Sequence, residues 1–415
     1  MNKLWTKNFT IITLGTIISM LGNSVSGFAI SFLVLDMTGS TFLYSLFLVV
    51  YFLPEILAPI VAGPLLDHFS RRKTIYILDF ISSGIYLLVF FLLRADYFSY
   101  PVLLILTLIV GSIDGVYSVA YDSLYPNLVS PGNFSKAYSI SSMIYPLASF
   151  MVPVASIVID QFGATPLFLF NAVTFFIAAC FETRIDYEEA YTKTSKKLTF
   201  GIEKFKSDFK DGIRYIAGEK GLLTITVYFC ITMFAGSAFQ TLLLPYFKNN
   251  ADMFAGSIFS SVTIYTFVAG CGVIGRLVGG AVHYWFKYPV DKKFTIALCV
   301  YATISVLEAV DLYLPINIMM ISMFIAGVLG VTSYNIRISA TQSYVPDTVR
   351  GRFNGVFRML CSAGTIVGQL LSGALAEFFD LRLIVVAFSA INLLAVVFVM
   401  YRGRGHVKKI YNVQV

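Results

Sequence analysis

Apolar residues gather into twelve long runs, at roughly 9–35, 41–66, 74–93, 101–122, 137–159, 164–183, 221–247, 255–284, 293–312, 316–338, 353–379 and 381–402. Each holds about 20 residues or more, the length a helix needs to cross bilayer hydrocarbon at about 1.5 Å per residue. Short polar connections separate most of them, and only 184–220 is both long and polar. The pattern predicts an all-α membrane protein of twelve transmembrane helices. It divides the chain into a six-helix bundle over 1–183, a linker over 184–220 and a second six-helix bundle over 221–415 that ends in a short basic tail.

Charge gives the runs a direction. Connections that follow odd-numbered runs hold only Arg94, Lys248 and, at the edge, Arg382. Those that follow even-numbered runs hold Arg71, Arg72, Lys73, Lys136, Lys287, Lys292, Lys293, Arg350 and Arg352. The linker adds more, from Arg184 to Lys220, and both tails are basic, with Lys3 and Lys7 at one end and Arg402, Arg404, Lys408 and Lys409 at the other. Lysine and arginine stay on the cytoplasmic side. Both termini and the linker are therefore expected there, in the plasma membrane of a bacterium.

Within the linker, "FGIEKFKSDFKDGIRYIAGEKG" sets Phe200, Phe205, Phe209, Ile213 and Ile216 near helical spacing with charge between them. It reads either as an amphipathic helix on the inner membrane surface or as a solvated linker helix. The two halves also echo each other. "YPNLVSPGNFSKAYS" (125–139) precedes the fifth run and "YVPDTVRGRFNGVF" (344–357) the eleventh. Such an internal repeat is the mark of a transporter built from two related bundles.

Composition excludes other classes. Of 415 residues, 57% are hydrophobic and 13% charged. A soluble domain carries about 25% charged residues, so this chain lacks the polar side chains to cover a soluble globule. The net charge of +7 is accounted for by its distribution over loops, so no nucleic-acid partner is expected. Cys180, Cys230, Cys271, Cys299 and Cys361 all lie in apolar runs without metal or redox spacing and read as packing residues. The three histidines, His68, His283 and His406, sit at run edges or in the tail. No Ser/His/Asp, HExxH or Cys-rich constellation appears, so neither an enzyme nor a metal or cofactor site is expected.

Twelve runs, a six-plus-six division and "GPLLDHFSRRK" (63–73) together resemble the major facilitator superfamily. Its signature between the second and third spans is Gly-x-x-x-Asp-[Arg/His]-x-Gly-Arg-[Lys/Arg]. Gly63, Asp67, His68, Arg71 and Arg72 match it, and Ser70 replaces the second glycine. "LDMTGSTFLYSLF" (35–47), "YPNLVSPGNFSKA" and "VPDTVRGRFNG" look like the proton-coupled drug-efflux branch that includes macrolide exporters. Two departures stand out. Family antiporters often carry an arginine in the fourth span, where this chain places Asp114 instead. Their Gly-Pro motif in the fifth span survives here only as "MVPVAS", with Pro153.

The resemblance implies a conformational latch of Gly63, Asp67, Arg71, Arg72 and Asp122. Asp67 would face the N-terminus of the eleventh span, where a helix dipole favours a carboxylate, and Arg71 would pair with Asp122. Ionisable groups inside a membrane are costly and usually functional. Asp114, Glu55 and Asp79 are the proton-coupling candidates of the first half, and Arg276, Arg337 and Arg358 make the second half basic in contrast. Asp114 shares a helical face with Thr107, Gly111, Ser118 and Asp122 and reads as a proton carrier or as a static helix–helix hydrogen bond. By family analogy the first, fourth, seventh and tenth spans line a cavity. Its substrate candidates are Asn23, Ser26, Phe229, Met233, Gln240, Tyr334 and Arg337. Aromatic, methionine and amide groups suit an amphipathic organic solute.

The expected function is export of drug-like or lipid-like amphipathic compounds by proton antiport with alternating access. The proton gradient is the energy source, no cofactor is needed, and a monomer in the lipid bilayer is expected. Proton-coupled uptake of a small organic solute and a non-transporting membrane scaffold or sensor remain open as alternatives.

Overall fold

The computed structural model describes residues 3–66, 69–97, 99–130, 133–187, 202–254, 256–285 and 288–413. Its helices are α1 (Lys7–Thr38), α2 (Thr41–Leu66), α3 (Arg71–Arg94), α4 (Tyr100–Leu128), α5 (Phe134–Ser149), α6 (Met151–Phe162), α7 (Thr165–Glu182), α8 (Ile202–Gly218), α9 (Lys220–Asn249), α10 (Ser261–Trp285), α11 (Lys293–Asp311), α12 (Ile316–Tyr344), α13 (Asp347–Leu375), α14 (Leu381–Ala395) and α15 (Arg404–Tyr411). A π-helical turn, Val396–Tyr401, continues α14. No strand occurs among the described residues. Twelve helical stretches there are long and apolar enough to cross a membrane, and they correspond one for one to the twelve runs.

Local chemistry explains where helices start and stop. Thr6 caps α1, its hydroxyl accepting from Phe9 N at 3.2 Å, and Gly39 ends the same helix with φ of +60°, a conformation costly to side chains. The fifth run is divided: α5 stops at Ser149 and α6 restarts at Met151. Pro153 has no N–H for the carbonyl of Ser149 four residues earlier, so the helical ladder lapses there. The eighth run begins later than its hydropathy suggests, because a 3-10 turn at Ala251–Phe254 and a loop precede Ser261.

Clustering of the backbone gives two compact units, Met1–Gly39 with Phe47–Glu203, and Ser40–Leu46 with Lys204–Val415. In the first unit α7 packs on α1 and α3. Gly22 of α1 lies so close to α7 that a Cβ there would sit 2.1 Å from Asn171 Oδ1 and from Thr174 Oγ1. In the second unit, Gly364 and Gly368 of α13 lie against α9; added Cβ atoms would come within 2.5 Å of Cys230 O and 2.1 Å of Phe234 O. Gly275 and Gly327 bring α10 and α12 together in the same way. Inside a membrane, where lipid is as apolar as leucine, close backbone approach of this kind drives helix association. Large apolar side chains such as Phe91, Ile105, Phe176, Leu383 and Phe398 face outward, as a lipid-embedded surface requires.

Two polar segments are docked helices. Helix α8 is amphipathic and packs one face on the second unit, with Lys206, Lys210 and Arg214 exposed on the other. Phe209 and Ile216 pack into the core of the second unit, Gly212 sits against Arg352 O and Val356, and Asp208 pairs with Arg352 Nε at 3.0 Å. Phe205 stacks on Phe209, Ile213 is exposed, and Phe200 lies outside the described residues. The basic tail is likewise a docked helix, α15, with Val407, Ile410 and Tyr411 buried. Tyr411 meets the Tyr301 hydroxyl at 3.1 Å, and Asn412 bonds to Phe294 N and to Asp291 O.

Candidate functional site

In the first unit the signature region is a staple at the end where α1 begins. Arg71 Nη1 donates to Ser123 O at 3.3 Å, beside Asp122. Arg72 Nη1 donates to Ile185 O, beyond α7. Asn8 grips the same strand of chain twice, donating to Asp186 O at 2.7 Å and accepting from Asp186 N at 3.0 Å. Asp122 is exposed and does not end its helix, since α4 continues to Leu128. Asp67 and His68 lie outside the described residues. Gly63 and Glu55 belong to α2, and the Glu55 side chain lies outside the described part.

Farther into the bundle, Gly111 of α4 lets the α2 backbone approach, with Tyr51 O 2.3 Å from where a Cβ would be. The Tyr51 hydroxyl then donates to Asp114 Oδ2 at 2.8 Å. Asp114 is half-buried. Asp79 of α3 is 1% exposed, and it faces Glu182, the last residue of α7, which is 0% exposed. Gly15 of α1 makes room for Glu182: a Cβ there would lie 2.9 Å from Glu182 Oε1. Sequence reading missed Glu182 because it ends its run, where a charge is usually an interfacial residue. Gly15 seven residues before Gly22 on one face of α1 was the signal that α7 comes close.

Ser26 is fully buried and accepts from Asn171 Nδ2 at 2.6 Å. It is a packing residue between α1 and α7 here, worth about 1 kcal/mol. Asn23, one turn away, is half-buried.

The second unit presents a different chemistry. Phe229 and Met233 of α9 share a face with Gln240; Phe229 is buried and the other two are exposed. The Arg337 guanidinium of α12 lies over three rings, 5.1 Å from Phe229, 5.3 Å from Tyr334 and 4.8 Å from Phe357. Tyr334 is 55% exposed, so the ring cluster opens outward. Each cation–π contact contributes roughly 0.5–2 kcal/mol, enough to fix an arginine without an acid. Arg276 and Arg358 are exposed. The second half is not purely basic, however: Glu308 and Asp311 sit on α11, Asp311 with 0% exposure and without a hydrogen-bond donor to either oxygen among the described residues. Both stand near a run end, where sequence reading passed them over. A fully apolar groove of about 570 Å³ between α9, α13 and α14 is lined by Cys230, Phe234, Gly364, Val367, Leu394 and Phe398. It holds none of the candidate residues.

At the opposite end of the second unit, Glu377 follows α13 and caps the start of α2. Its Oε1 accepts from Ser40 Oγ at 2.7 Å and from Phe42 N at 3.0 Å. These donors hold its carboxyl below the usual carboxylate range. A depressed folded value means the stabilisation is present at neutral pH and lost as pH falls through that value. Glu377→Gln should therefore lower the melting temperature at neutral pH. The gap from wild type should close on acidification, as read by thermal unfolding of the purified protein at a series of pH values; a gap independent of pH argues against the charged cap.

Residues 12–368 match the family model described as Major Facilitator Superfamily. The multidrug efflux pump Tap of Mycobacterium tuberculosis (strain ATCC 25618 / H37Rv) is 23% identical over 88% of this chain and 86% of its own. An uncharacterised MFS-type transporter, YkuC of Bacillus subtilis (strain 168), is 24% identical over 68% of each chain. Among solved structures, the peptide transporter POT in complex with sulfate superimposes with a TM-score of 0.73 at 12% identity, covering 98% of this chain and 96% of that one. A bacterial homologue of the iron transporter ferroportin, inward-facing, does so with 0.69 at 17% identity, over 95% and 98%. These structural likenesses establish a shared fold.

Proposed function

The chain belongs to the Major Facilitator Superfamily, and on that premise we propose that it exports amphipathic organic compounds by proton antiport with alternating access. Membership makes it a multi-pass membrane transporter rather than an enzyme. What carries the export reading is the likeness, sustained over 88% of the chain, to a pump named for multidrug efflux. The site chemistry agrees with it. Tyr334 offers an exposed ring face to an apolar body, backed by the buried Phe229 and Phe357, while Arg337 and Gln240 offer donors to a polar end. In this reading Asp114, half-buried and bonded to the Tyr51 hydroxyl, is the acid that exchanges a proton.

In this reading the protein sits in a bacterial plasma membrane with both termini cytoplasmic, and "GPLLDHFSRRK" belongs to the machinery of conformational exchange. Asp67→Asn should cut transport severely while leaving the amount of protein in the membrane unchanged. The experiment is accumulation of a fluorescent amphipathic dye in a pump-deficient bacterial host. Cells with the wild-type chain should retain less dye than cells with Asp67→Asn or with no transporter. Greater retention with the wild type favours uptake by symport, and full activity of Asp67→Asn removes that residue from the cycle.

A further inference from the structure

Beside Asp114, the first unit buries two neighbouring carboxyl groups. Asp79 and Glu182 come from α3 and α7, the helix pair that forms much of the unit's interior. Asp79 Oδ2 and Glu182 Oε2 have no hydrogen-bond partner among the described residues. From α4, Tyr117 donates to Glu182 Oε1 at 3.4 Å, and Asp114 and Tyr121 lie within electrostatic reach of the pair. From α3 itself, Tyr86 stands by Asp114. Helix α1 contributes Gly15 and, beside the Tyr117 hydroxyl, Thr16. Among the described residues, neither α5 nor α6 places a titratable group against the pair, and no lysine or arginine acts on either carboxyl.

An ionised carboxylate only accepts hydrogen bonds. Two of them side by side, out of water and without a cation, leave like charges unbalanced and two acceptors without donors. One proton between them supplies the missing donor and removes one charge. We propose that Asp79 and Glu182 form the proton-binding site of the transport cycle, loaded and unloaded through Asp114. Asp114 is the half-buried member of this group, and Asp79 is its buried neighbour. The ligand proposed is a bare proton, and among the described residues no group of three or more His, Cys, Asp or Glu side chains stands together to hold a metal ion. The inference rests on the proton-coupled reading above.

The test uses the purified full chain in lipid. Infrared difference spectra between acid and alkaline pH read the C=O stretch of a protonated carboxyl, which should appear reversibly in the wild type. Glu182→Gln and Asp79→Asn, close to isosteric, should each abolish that band. Tyr117→Phe, which removes the pair's donor, should shift it. In proteoliposomes with an acid lumen, gradient-driven ethidium accumulation should fall at least tenfold in both pair variants, with downhill ethidium equilibration retained. Glu308→Gln, at a half-buried acid of the other unit, should leave it intact. A wild type without a titrating band, a band indifferent to Tyr117→Phe, or a band removed by sodium at fixed pH would overturn the proposal. So would a Glu308→Gln variant that loses coupling while the pair variants keep it. Wild-type ethidium accumulation indifferent to the pH gradient overturns the antiport reading, and the pair's coupling role with it. Gradient-driven accumulation retained in both pair variants overturns the pair alone.

Discussion

Gly368→Val should leave almost no folded protein in the membrane. A Cβ at this position would lie 2.1 Å from Phe234 O and 2.2 Å from Ser237 Oγ, and the first of these is backbone that no rotamer change can move. Helices α9 and α13 must then separate, with loss of the packing along Cys230 and Phe234. Overpacking costs typically about 1–3 kcal/mol even where side chains can yield. A blocked backbone crossing costs more, enough to exhaust much of a stability of about 5–15 kcal/mol. Gly270→Ala is the control, because nothing lies within 4 Å of its added Cβ. Size-exclusion profiles of detergent extracts should show a monodisperse peak for Gly270→Ala and aggregate or nothing for Gly368→Val. A normal peak for Gly368→Val would mean that the α9–α13 contact is looser than described.

Asp114→Asn should reduce uphill transport by tenfold or more and leave downhill transport near wild type. The amide keeps the size of the carboxyl and its Oδ1 still accepts from the Tyr51 hydroxyl, so the crossing of α2 and α4 at Gly111 survives. What it loses is the capacity to take a proton. Tyr51→Phe removes only the hydrogen bond and should cause a smaller loss, mainly a shift in the pH dependence of transport. Equal losses of uphill and downhill flux in Asp114→Asn would assign the residue a structural role, as a helix–helix hydrogen bond.

The twelve helices were legible because run length and hydropathy are governed by bilayer thickness, which acts on each segment separately. The close helix contacts at Gly364 and Gly368 follow a pattern visible in the chain, small residues four apart that suit close helix approach in a membrane. The division of the fifth run at Ser149 needed the ladder argument at Pro153, which the family pattern marks only as the remnant of a Gly-Pro motif. What stayed hidden depends on which distant residue arrives opposite. Ser26 belongs to a polar face of α1, yet Asn171 of α7 takes its hydroxyl. Phe357 lies twenty residues beyond Arg337 on another helix, so the ring cluster has no local signature. Glu182 and Asp311 end their helices, where hydropathy treats charge as interfacial, but their neighbours bury them. The docking of α8 and α15 is hidden for a related reason, because an amphipathic helix looks the same whether its apolar face meets lipid or protein.

Export coupled to protons is tested most directly in inverted membrane vesicles that contain the protein, with the pH gradient set by the experimenter. A panel of amphipathic drugs and lipid analogues is offered from outside. Accumulation in the lumen when the lumen is acid, abolished by a protonophore and absent from vesicles with Asp114→Asn, is the expected result. Accumulation that ignores the gradient, or net movement of compound out of the acid lumen, contradicts proton-driven export by this chain.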